Sequence, residues 1–303
     1  MASYVLFTLT IGGIYALLAL SLNLVWGMAG MVNLGLAGFF AVGAYASAIA
    51  TGAGAPVILG WLLAIACGVV AGLVITFATL RLRDDYLAIV TLGFGEVVRL
   101  VALNERWLTK GADGISGIPG PFKQALGQTG FPIFYCVLVS VIVGGVWLAL
   151  RRLDLSPYGR TLKAIREDQE LARFAGKPVL RFKFEAFAVA AAIAALAGAL
   201  YGHFQSYISP DHFQSLITIY IFLAVTAGGV GRPLGAVVGA YAVVVFLEAT
   251  RFFADVLPGL QPVQLAAVRE MLVGAALLVV LLCKPTGLLA ERIAPAAPYR
   301  KSR

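Results

Sequence analysis

The sequence predicts an all-α polytopic membrane protein built as a single transmembrane domain over residues 1–303. Hydrophobic residues make up 60% of the chain and charged residues only 13%, whereas soluble domains carry about 25% charged residues. No Asp, Glu, Lys, Arg or His occurs between Met1 and Leu80. A helix that crosses a bilayer needs roughly 20 mostly apolar residues. Eighty uncharged residues therefore fit a membrane, whereas they would aggregate in a soluble fold.

About nine spans are expected, and eight or ten remain alternatives because the second span is short and rich in glycine. The predicted spans are 4–26, 33–50, 57–80, 86–103, 132–150, 185–203, 215–230, 234–253 and 266–283. The first span is not expected to be a cleaved signal peptide, because no basic residues precede it and further spans follow directly.

Basic residues predict the orientation of these spans. Residues 151–185 hold nine Lys and Arg against five Asp and Glu, and residues 284–303 hold five against one. Cytoplasmic loops are enriched in Lys and Arg, so 151–184 is expected to be a cytoplasmic loop and 284–303 a basic cytoplasmic tail. Counting back places Arg81 to Arg83 inside and both 104–131 and the N-terminus in the periplasm. This distribution explains the net charge of +8 without nucleic acid as a partner.

Two stretches interrupt the helical pattern at membrane depth. Five glycines and Asn33 lie between Gly27 and Gly43, and Ala227 to Gly239 reads A-G-G-V-G-R-P-L-G-A-V-V-G. Glycine and proline disfavour helix, and non-helical backbone survives in a membrane only inside protein or beside a watery cavity. Each stretch is therefore either a short loop between spans or a broken helix beside a pathway. The candidate pathway residues are Asn33, Gly35, Gly38, Gly93, Glu96, Arg99, Gly228, Gly229 and Gly231.

Ionisable residues inside spans are candidates for function, because charge in hydrocarbon is costly. Glu96 and Arg99 are three residues apart, so they can neutralise each other on one helix face, and Glu248 and Arg251 repeat the spacing. Each pair is either structural or lines the path of a zwitterionic solute.

No catalytic constellation is found, and an enzyme is not expected. His203 and His212 are the only histidines, and neither has a neighbour at ligand spacing, so no metal site is expected. The pattern G-x-x-x-x-G-K-[ST], which binds nucleotide phosphates, does not occur in the sequence. The chain is therefore expected to carry no cofactor of its own.

The loop 151–184 contains the segment that most clearly predicts a partner. Ser156 and Pro157 form a helix start, and an amphipathic helix is expected from there until Gly176 and Pro178 end it. Leu162, Ile165 and Ala172 can share one face of this helix. A sharply capped helix of mixed charge in the largest cytoplasmic loop predicts docking onto a soluble protein.

The sequence of this segment, G-R-T-L-K-A-I-R-E-D-Q-E-L-A-R-F-A-G over 159–176, resembles the coupling loop of branched-chain amino acid ABC permeases, specifically the LivM-like subunit. Glu170, Ala172 and Gly176 also fit part of the E-A-A-x-x-x-G element of bacterial import permeases, although Leu171 departs from it. Further agreement runs through nearly the whole chain in segments 30–45, 85–100, 111–119, 208–213, 228–239 and 284–289.

The resemblance implies a fold of the vitamin-importer type, usually drawn with ten helices, and a multi-subunit importer. The implied partners are a LivH-like second permease, two cytoplasmic ATPases that hold ATP and Mg²⁺, and a periplasmic binding protein, all in or at the bacterial inner membrane. The residues implied in ATPase coupling are Gly159, Arg160, Ala164, Arg166, Glu167, Asp168, Glu170, Ala172 and Gly176.

Two alternatives stay open. Urea and short-amide permeases share much of this pattern, so the solute is less specific than the family. An ATP-independent secondary transporter or channel would need a coupling-ion site, but the only acidic residues well inside the spans are Glu96 and Glu248, each with an arginine nearby.

Overall fold

The computed structural model describes residues 2–79, 84–256, 262–284 and 287–289, and these are almost entirely helical. The helices are α1 Ala2–Leu22, α2 Leu36–Gly52, α3 Val57–Thr79, α4 Asp84–Asn104, α5 Arg106–Thr109, α6 Lys123–Leu155, α7 Pro157–Glu167, α8 Gln169–Phe174, α9 Val179–Gln205, α10 Leu216–Gly228, α11 Pro233–Val256 and α12 Pro262–Cys283. A π-helix, Asn23–Met28, continues α1, and the two short strands are β1 Ile115–Ser116 and β2 Tyr207–Ile208.

Each predicted span coincides with one of these helices, which confirms the all-α membrane class. By length and apolar composition, six helices of the described chain can cross a membrane: Ser3–Met28, Val57–Thr79, Tyr86–Asn104, Thr129–Leu155, Val179–Gln205 and Pro233–Thr250. Helix α2 is shorter, at 17 residues, and α10 has 13. The count of nine spans stays a prediction. The predicted inner loop at Arg81 to Arg83 and residues 290–303 of the predicted tail lie outside the described residues.

The helices run between two ends of the bundle. At the sheet end, β1 pairs antiparallel with β2, with Ile115 opposite Ile208, beside the last residue of α9. At the α7 end lie the end of α6, helices α7 and α8, and the start of α9. The residues after α12 also reach this end, because the amide of Leu288 donates to the carbonyl of Ala227 at the end of α10 at 2.8 Å.

Helix α2 occupies the centre of the bundle, where it packs against α3, α4 and α9. Glycines allow its backbone to approach α9 closely. A methyl group at Gly43 would lie 1.9 Å from the carbonyl oxygen of Ala195, and one at Gly198 would lie 1.9 Å from that of Phe40. Lipid offers no hydrophobic drive for helix association, so small residues and tight contact hold such helices together. The small residues of α9 therefore pack the core.

We predict that Gly198→Ala destabilises the protein, because its methyl group overlaps the backbone of α2. Overpacking of this kind costs about 1–3 kcal/mol, which thermal unfolding of the purified protein in detergent measures. The matched control is Gly144→Ala on α6, where no atom lies within 4 Å of the added methyl group and helix propensity improves by about 1 kcal/mol. Equal melting temperatures for the two variants would contradict the central packing of α2.

Candidate functional site

The segment 157–176 forms two helices joined at Asp168. The hydroxyl oxygen of Ser156 accepts from the amide of Gly159 at 3.2 Å, and Pro157 follows at the first position, as predicted. The prediction of one continuous amphipathic helix is wrong, because Asp168 adopts an extended backbone. Its carboxylate caps α8 by accepting from the amide of Leu171 at 2.9 Å. Gly176 ends α8 with a φ of +76°, a conformation that favours glycine.

One face of this two-helix unit is fixed to the bundle. Leu162, Ile165 and Ala172 are all buried, Leu162 in the main core and the other two in a small cluster with Val179. A methyl group at Gly159 would lie 2.3 Å from the carbonyl oxygen of Leu153, so α7 turns tightly against the end of α6. Lys163 also pairs with Asp154 of α6 at 2.7 Å. The unit therefore moves with the end of α6.

Tyr158 connects the same unit to α9. Its ring packs on Phe182 with the centroids 4.8 Å apart. Burial, reinforced by the Glu185 carboxylate, raises the pKa of Tyr158 above its ordinary range. Tyr158 is therefore a neutral anchor at physiological pH.

The opposite face of the unit is open. Six of the nine predicted coupling residues are exposed: Arg160, Ala164, Glu167, Asp168, Glu170 and Gly176. Gly159 and Ala172 are buried in contacts within this chain, and their part in ATPase coupling stays a prediction. Leu171 and Phe174 add apolar surface, with 66% and 87% of their areas exposed. Exposed apolar side chains ringed by charges are typical of a protein-binding surface.

Arg166, the remaining coupling candidate, points into the bundle. Its guanidinium donates through Nη1 to the carbonyl oxygen of Gly27 in the π-helix and pairs with Glu167 at 2.8 Å. Gly30, with a φ of +75°, lies against the side chain of Arg166, where a methyl group would come within 2.9 Å of Cγ. The carbonyl groups at a helix end lack partners within the helix, and Arg166 satisfies one of them.

The first glycine-rich stretch breaks the helical path inside the bundle. Residues 30–35 have no regular secondary structure, and α2 then begins beside α4. The amide of Leu34 donates to the hydroxyl of Thr91 at 3.0 Å. Thr91 is seven residues from the start of α4, or about 10 Å along the axis. Of the two alternatives for this stretch, the structure favours a break inside the bundle over a loop at its end.

Side chains satisfy the polar backbone at this break. Asn33 is buried, and its side-chain oxygen accepts from the amide of Gly35 at 2.9 Å. The hydroxyl of Thr218 on α10 accepts from the amide of Ala37 at 3.2 Å. A methyl group at Gly35 would lie 2.1 Å from the carbonyl oxygen of Thr91, and one at Gly38 would lie 2.8 Å from Cα of Gly95. Close packing on α4 thus explains both glycines, and a role in the pathway stays a prediction for them.

The second glycine-rich stretch lies at the α7 end, apart from the first. Residues 229–232 form the turn between α10 and α11, so this stretch is a short connection. The amide of Gly231 donates to the side-chain oxygen of buried Asn23 in the π-helix at 2.8 Å, and Gly228 packs on the carbonyl of Gly235. The structure therefore separates the candidate pathway residues Gly228, Gly229 and Gly231 from Asn33, Gly35 and Gly38.

Glu96 and Arg99 form the expected ion pair on α4. Arg99 donates through Nε to Glu96 Oε1 at 3.0 Å. The side chain of Glu96 is 43% exposed and that of Arg99 is 22% exposed. The pair lies next to Gly95, which faces α2, and Gly93 is exposed one residue before Phe94. For the second pair, Glu248 accepts from the hydroxyl of Tyr4, and the side chain of Arg251 lies outside the described residues.

The chain matches the family described as "Branched-chain amino acid transport system / permease component" over residues 4–281. The chain belongs to this permease family. It is similar to the high-affinity branched-chain amino acid transport system permease protein LivM of Escherichia coli, with 33% identity over 92% of this chain and 68% of the relative.

Two further relatives extend the comparison. A probable LivM permease of Methanocaldococcus jannaschii is 29% identical over 95% of this chain and 94% of its own. The LivH permease of Escherichia coli is 28% identical over 92% of both chains. These matches confirm the LivM-like resemblance, and together with the apolar helices they make this chain a multi-pass membrane permease.

Several polar residues that position these elements were not recognised from the sequence. Asn23, Thr91 and Thr218 each accept a backbone amide at a helix break. Buried His203 bridges the hydroxyl of Ser47 at 2.8 Å and the carbonyl of Pro119 at 2.6 Å. The signal that could have found them is a polar side chain within an apolar helix, since such groups need partners in a membrane.

We predict that the Glu96–Arg99 pair of this permease acts by mutual neutralisation. Glu96→Gln or Arg99→Gln leaves one charge unpaired within α4, which costs about 3 kcal/mol in a span, so less assembled protein is recovered from membranes. The exchange Glu96→Arg with Arg99→Glu should restore both assembly and uptake. Restored assembly with background uptake would contradict this and indicate direct contact with the solute. Glu105→Gln, outside the span, is the control.

Proposed function

We propose that this chain is the LivM-type permease subunit of an ABC importer that carries branched-chain or related amino acids across the bacterial inner membrane. The observation that carries the proposal is the family match over residues 4–281, within which LivM relatives have higher identity than LivH relatives. The apolar helices and the open face of α7 and α8 fit this role. The chain crosses the membrane nine times, in a fold of the vitamin-importer type.

The importer contains four further components in this proposal. They are a LivH-like permease, two cytoplasmic ATPases that bind ATP and Mg²⁺, and a periplasmic binding protein that delivers the solute. Support for a second permease comes from the similarity of this chain to both LivM and LivH proteins. Support for the ATPases comes from the exposed Leu171 and Phe174 among charged residues on one surface.

Coupling runs from α7 and α8 into the bundle. An ATPase docks on the exposed face of 159–176, and its closure displaces α7. The end of α6 follows, because Gly159 packs on Leu153 and Lys163 is paired with Asp154. The end of the π-helix follows through Arg166 and Gly27. The unwound residues 30–35 then transmit the displacement to α2, whose first turn lies against α4 and α10.

The solute pathway includes the start of α2 and the adjoining face of α4. Asn33 binds the amide of Gly35 there, Gly35 lies against Thr91, and Gly38 lies against Gly95, the residue before Glu96. Irregular backbone within a bundle provides polar groups that transporters use for solutes. Because Thr91 of α4 holds the amide of Leu34 just before α2, a change in the α2–α4 contact would release that amide.

We predict that Phe174→Ala weakens docking of the ATPases, because Phe174 is 87% exposed and adds apolar contact area. Truncating a large interface aromatic costs about 2 kcal/mol or more when it is a binding hot spot. The complex is co-expressed with its ATPases and binding protein, and co-purification is measured alongside ATP-driven uptake of leucine in proteoliposomes. Both should fall in the variant. Phe122→Ala is the matched control, because Phe122 is 68% exposed at the sheet end.

The same uptake assay tests whether branched-chain amino acids are the solutes of this importer. Leucine, isoleucine and valine should compete for uptake, whereas urea and acetamide should not. Competition by urea alone would indicate an amide permease, and uptake without ATP would indicate a secondary transporter.

A second variant tests the charges of the coupling segment. Glu167→Gln with Asp168→Asn removes two charges and keeps the local fold, because it retains a capping side chain at 168. Uncoupled ATP hydrolysis is expected if these acids contact the ATPase.

We predict that the α7 end is cytoplasmic and the sheet end periplasmic, from the excess of basic residues in 151–185. Ser116 and Arg173 are both exposed, at opposite ends. With the native Cys67, Cys136 and Cys283 replaced, Ser116→Cys should react with a membrane-impermeant thiol reagent in spheroplasts. Arg173→Cys should react only after the membrane is opened. The reverse pattern would overturn the orientation.

A further inference from the structure

A cleft of about 1020 Å³ opens at the α7 end, between the end of α6, helix α7 and the turn before α11. Its position corresponds to a membrane boundary, because the apolar spans Thr129–Leu155 and Pro233–Thr250 end and begin there. Trp147 lies in its wall, and aromatic residues of this kind favour the headgroup level of a bilayer. The cleft is distinct from the exposed face of α8 that carries Phe174.

The cleft is strongly basic. Five basic side chains line it, Arg151, Arg160, Lys163, Arg166 and Arg232, against only the acidic Asp154 and Glu167. Lys163 pairs with Asp154 and Arg166 with Glu167, so the two acids are already engaged. Arg151 stacks over the ring of Trp147 at 5.4 Å. An excess of positive charge thus remains around Arg151, Arg160 and Arg232.

Apolar surface leads away from the same cleft toward the other end of the bundle. Leu155 of α6 and Leu234 of α11 belong to its walls. On each helix, exposed apolar side chains follow at four- and seven-residue spacing, which keeps them on one face. They are Val137, Val141 and Leu148 on α6, and Val238 and Val245 on α11. Two rows of exposed apolar side chains, which we call the apolar tracks on α6 and α11, therefore begin at the basic cleft.

From this arrangement we infer that the cleft binds the phosphate headgroup of an anionic phospholipid, whose acyl chains lie along the tracks on α6 and α11. Guanidinium groups match phosphate geometry and bind it through two donors. Basic pockets between transmembrane helices at the cytoplasmic side are suited to such headgroups. A free phosphate would use the arginines but leave both tracks unused. An ATPase docked on 159–176 could contact Arg160 and Glu167, but it would have to pass the level of Leu155 to reach Arg151.

The proposed lipid site adjoins the contact that joins α7 to the π-helix. Arg166 lines the cleft and binds the carbonyl of Gly27. A bound headgroup thus places negative charge beside the residue that joins α7 to the π-helix. Lipid occupancy stabilises the position of α7 against the bundle.

The experiment measures lipid retained by the purified complex, with its partner subunits, using native mass spectrometry. The complex is delipidated and then offered phosphatidylglycerol or phosphatidylcholine in detergent. Wild type should retain phosphatidylglycerol and not phosphatidylcholine. Arg151→Gln with Arg232→Gln should lower retention of phosphatidylglycerol by about tenfold, since each basic residue contributes to binding of anionic lipid.

The matched control is Arg152→Gln with Lys177→Gln, which removes two exposed charges at the same end of the bundle but outside the cleft. It should retain lipid like wild type. Equal retention of the two lipids, or equal loss in the control, would overturn the inference. Displacement of phosphatidylglycerol by glycerol phosphate at similar concentration would indicate a site for free phosphate. Loss of the ATPases from the cleft variant would assign the surface to the subunit interface instead.

Discussion

The constraint on which this structure depends is that every backbone polar group inside the bundle must find a partner within the protein. Helix α2 satisfies it while starting inside the bundle. The amides just before and within its first turn bond to Asn33, Thr91 and Thr218, and its body packs against α9 at Gly43 and Gly198. Because these contacts hold α2 from three sides, the chain before it can remain unwound.

That unwound segment connects the centre of the bundle to its α7 end. The π-helix before it is held by Asn23, which binds Gly231, and by Arg166, which binds Gly27. A π-helical turn within an α-helix is frequent at functional sites. Here it places the two glycine-rich stretches in one chain of contacts, although they lie apart. In the coupling that we propose, displacement of α7 acts first on the end of the π-helix through Arg166, and then on residues 30–35, which have no regular secondary structure.

The sequence predicted the elements better than their contacts. Apolar runs located each span, and Ser156 with Pro157 located the start of α7, because these signals are local. Asp168 was misjudged because its carboxylate can either extend a charged helix face or cap a new helix, and only the extended backbone decides. The pathway role of Gly35 and Gly38 stays a prediction, and their contacts with Thr91 and Gly95 depend on tertiary packing that no local pattern reveals. The inward-pointing Arg166 was assigned to the partner surface for the same reason.

Arg166 also helps to explain the excess of basic residues in the 151–185 loop. Its side chain is only 20% exposed where it reaches Gly27, and a charge partly removed from water needs partners. Glu167 supplies one at 2.8 Å, and an anionic headgroup in the cleft supplies another. The basic excess of the 151–185 loop thus has two physical roles at the α7 end. It predicts a cytoplasmic location for the loop, and in the lipid site that we infer it also holds the loop against lipid on one side while the face of α8 stays open on the other. The coupling that we propose depends on both roles, because a helix free to slide in the membrane interface would absorb the displacement of α7 instead of passing it to α1 and α2.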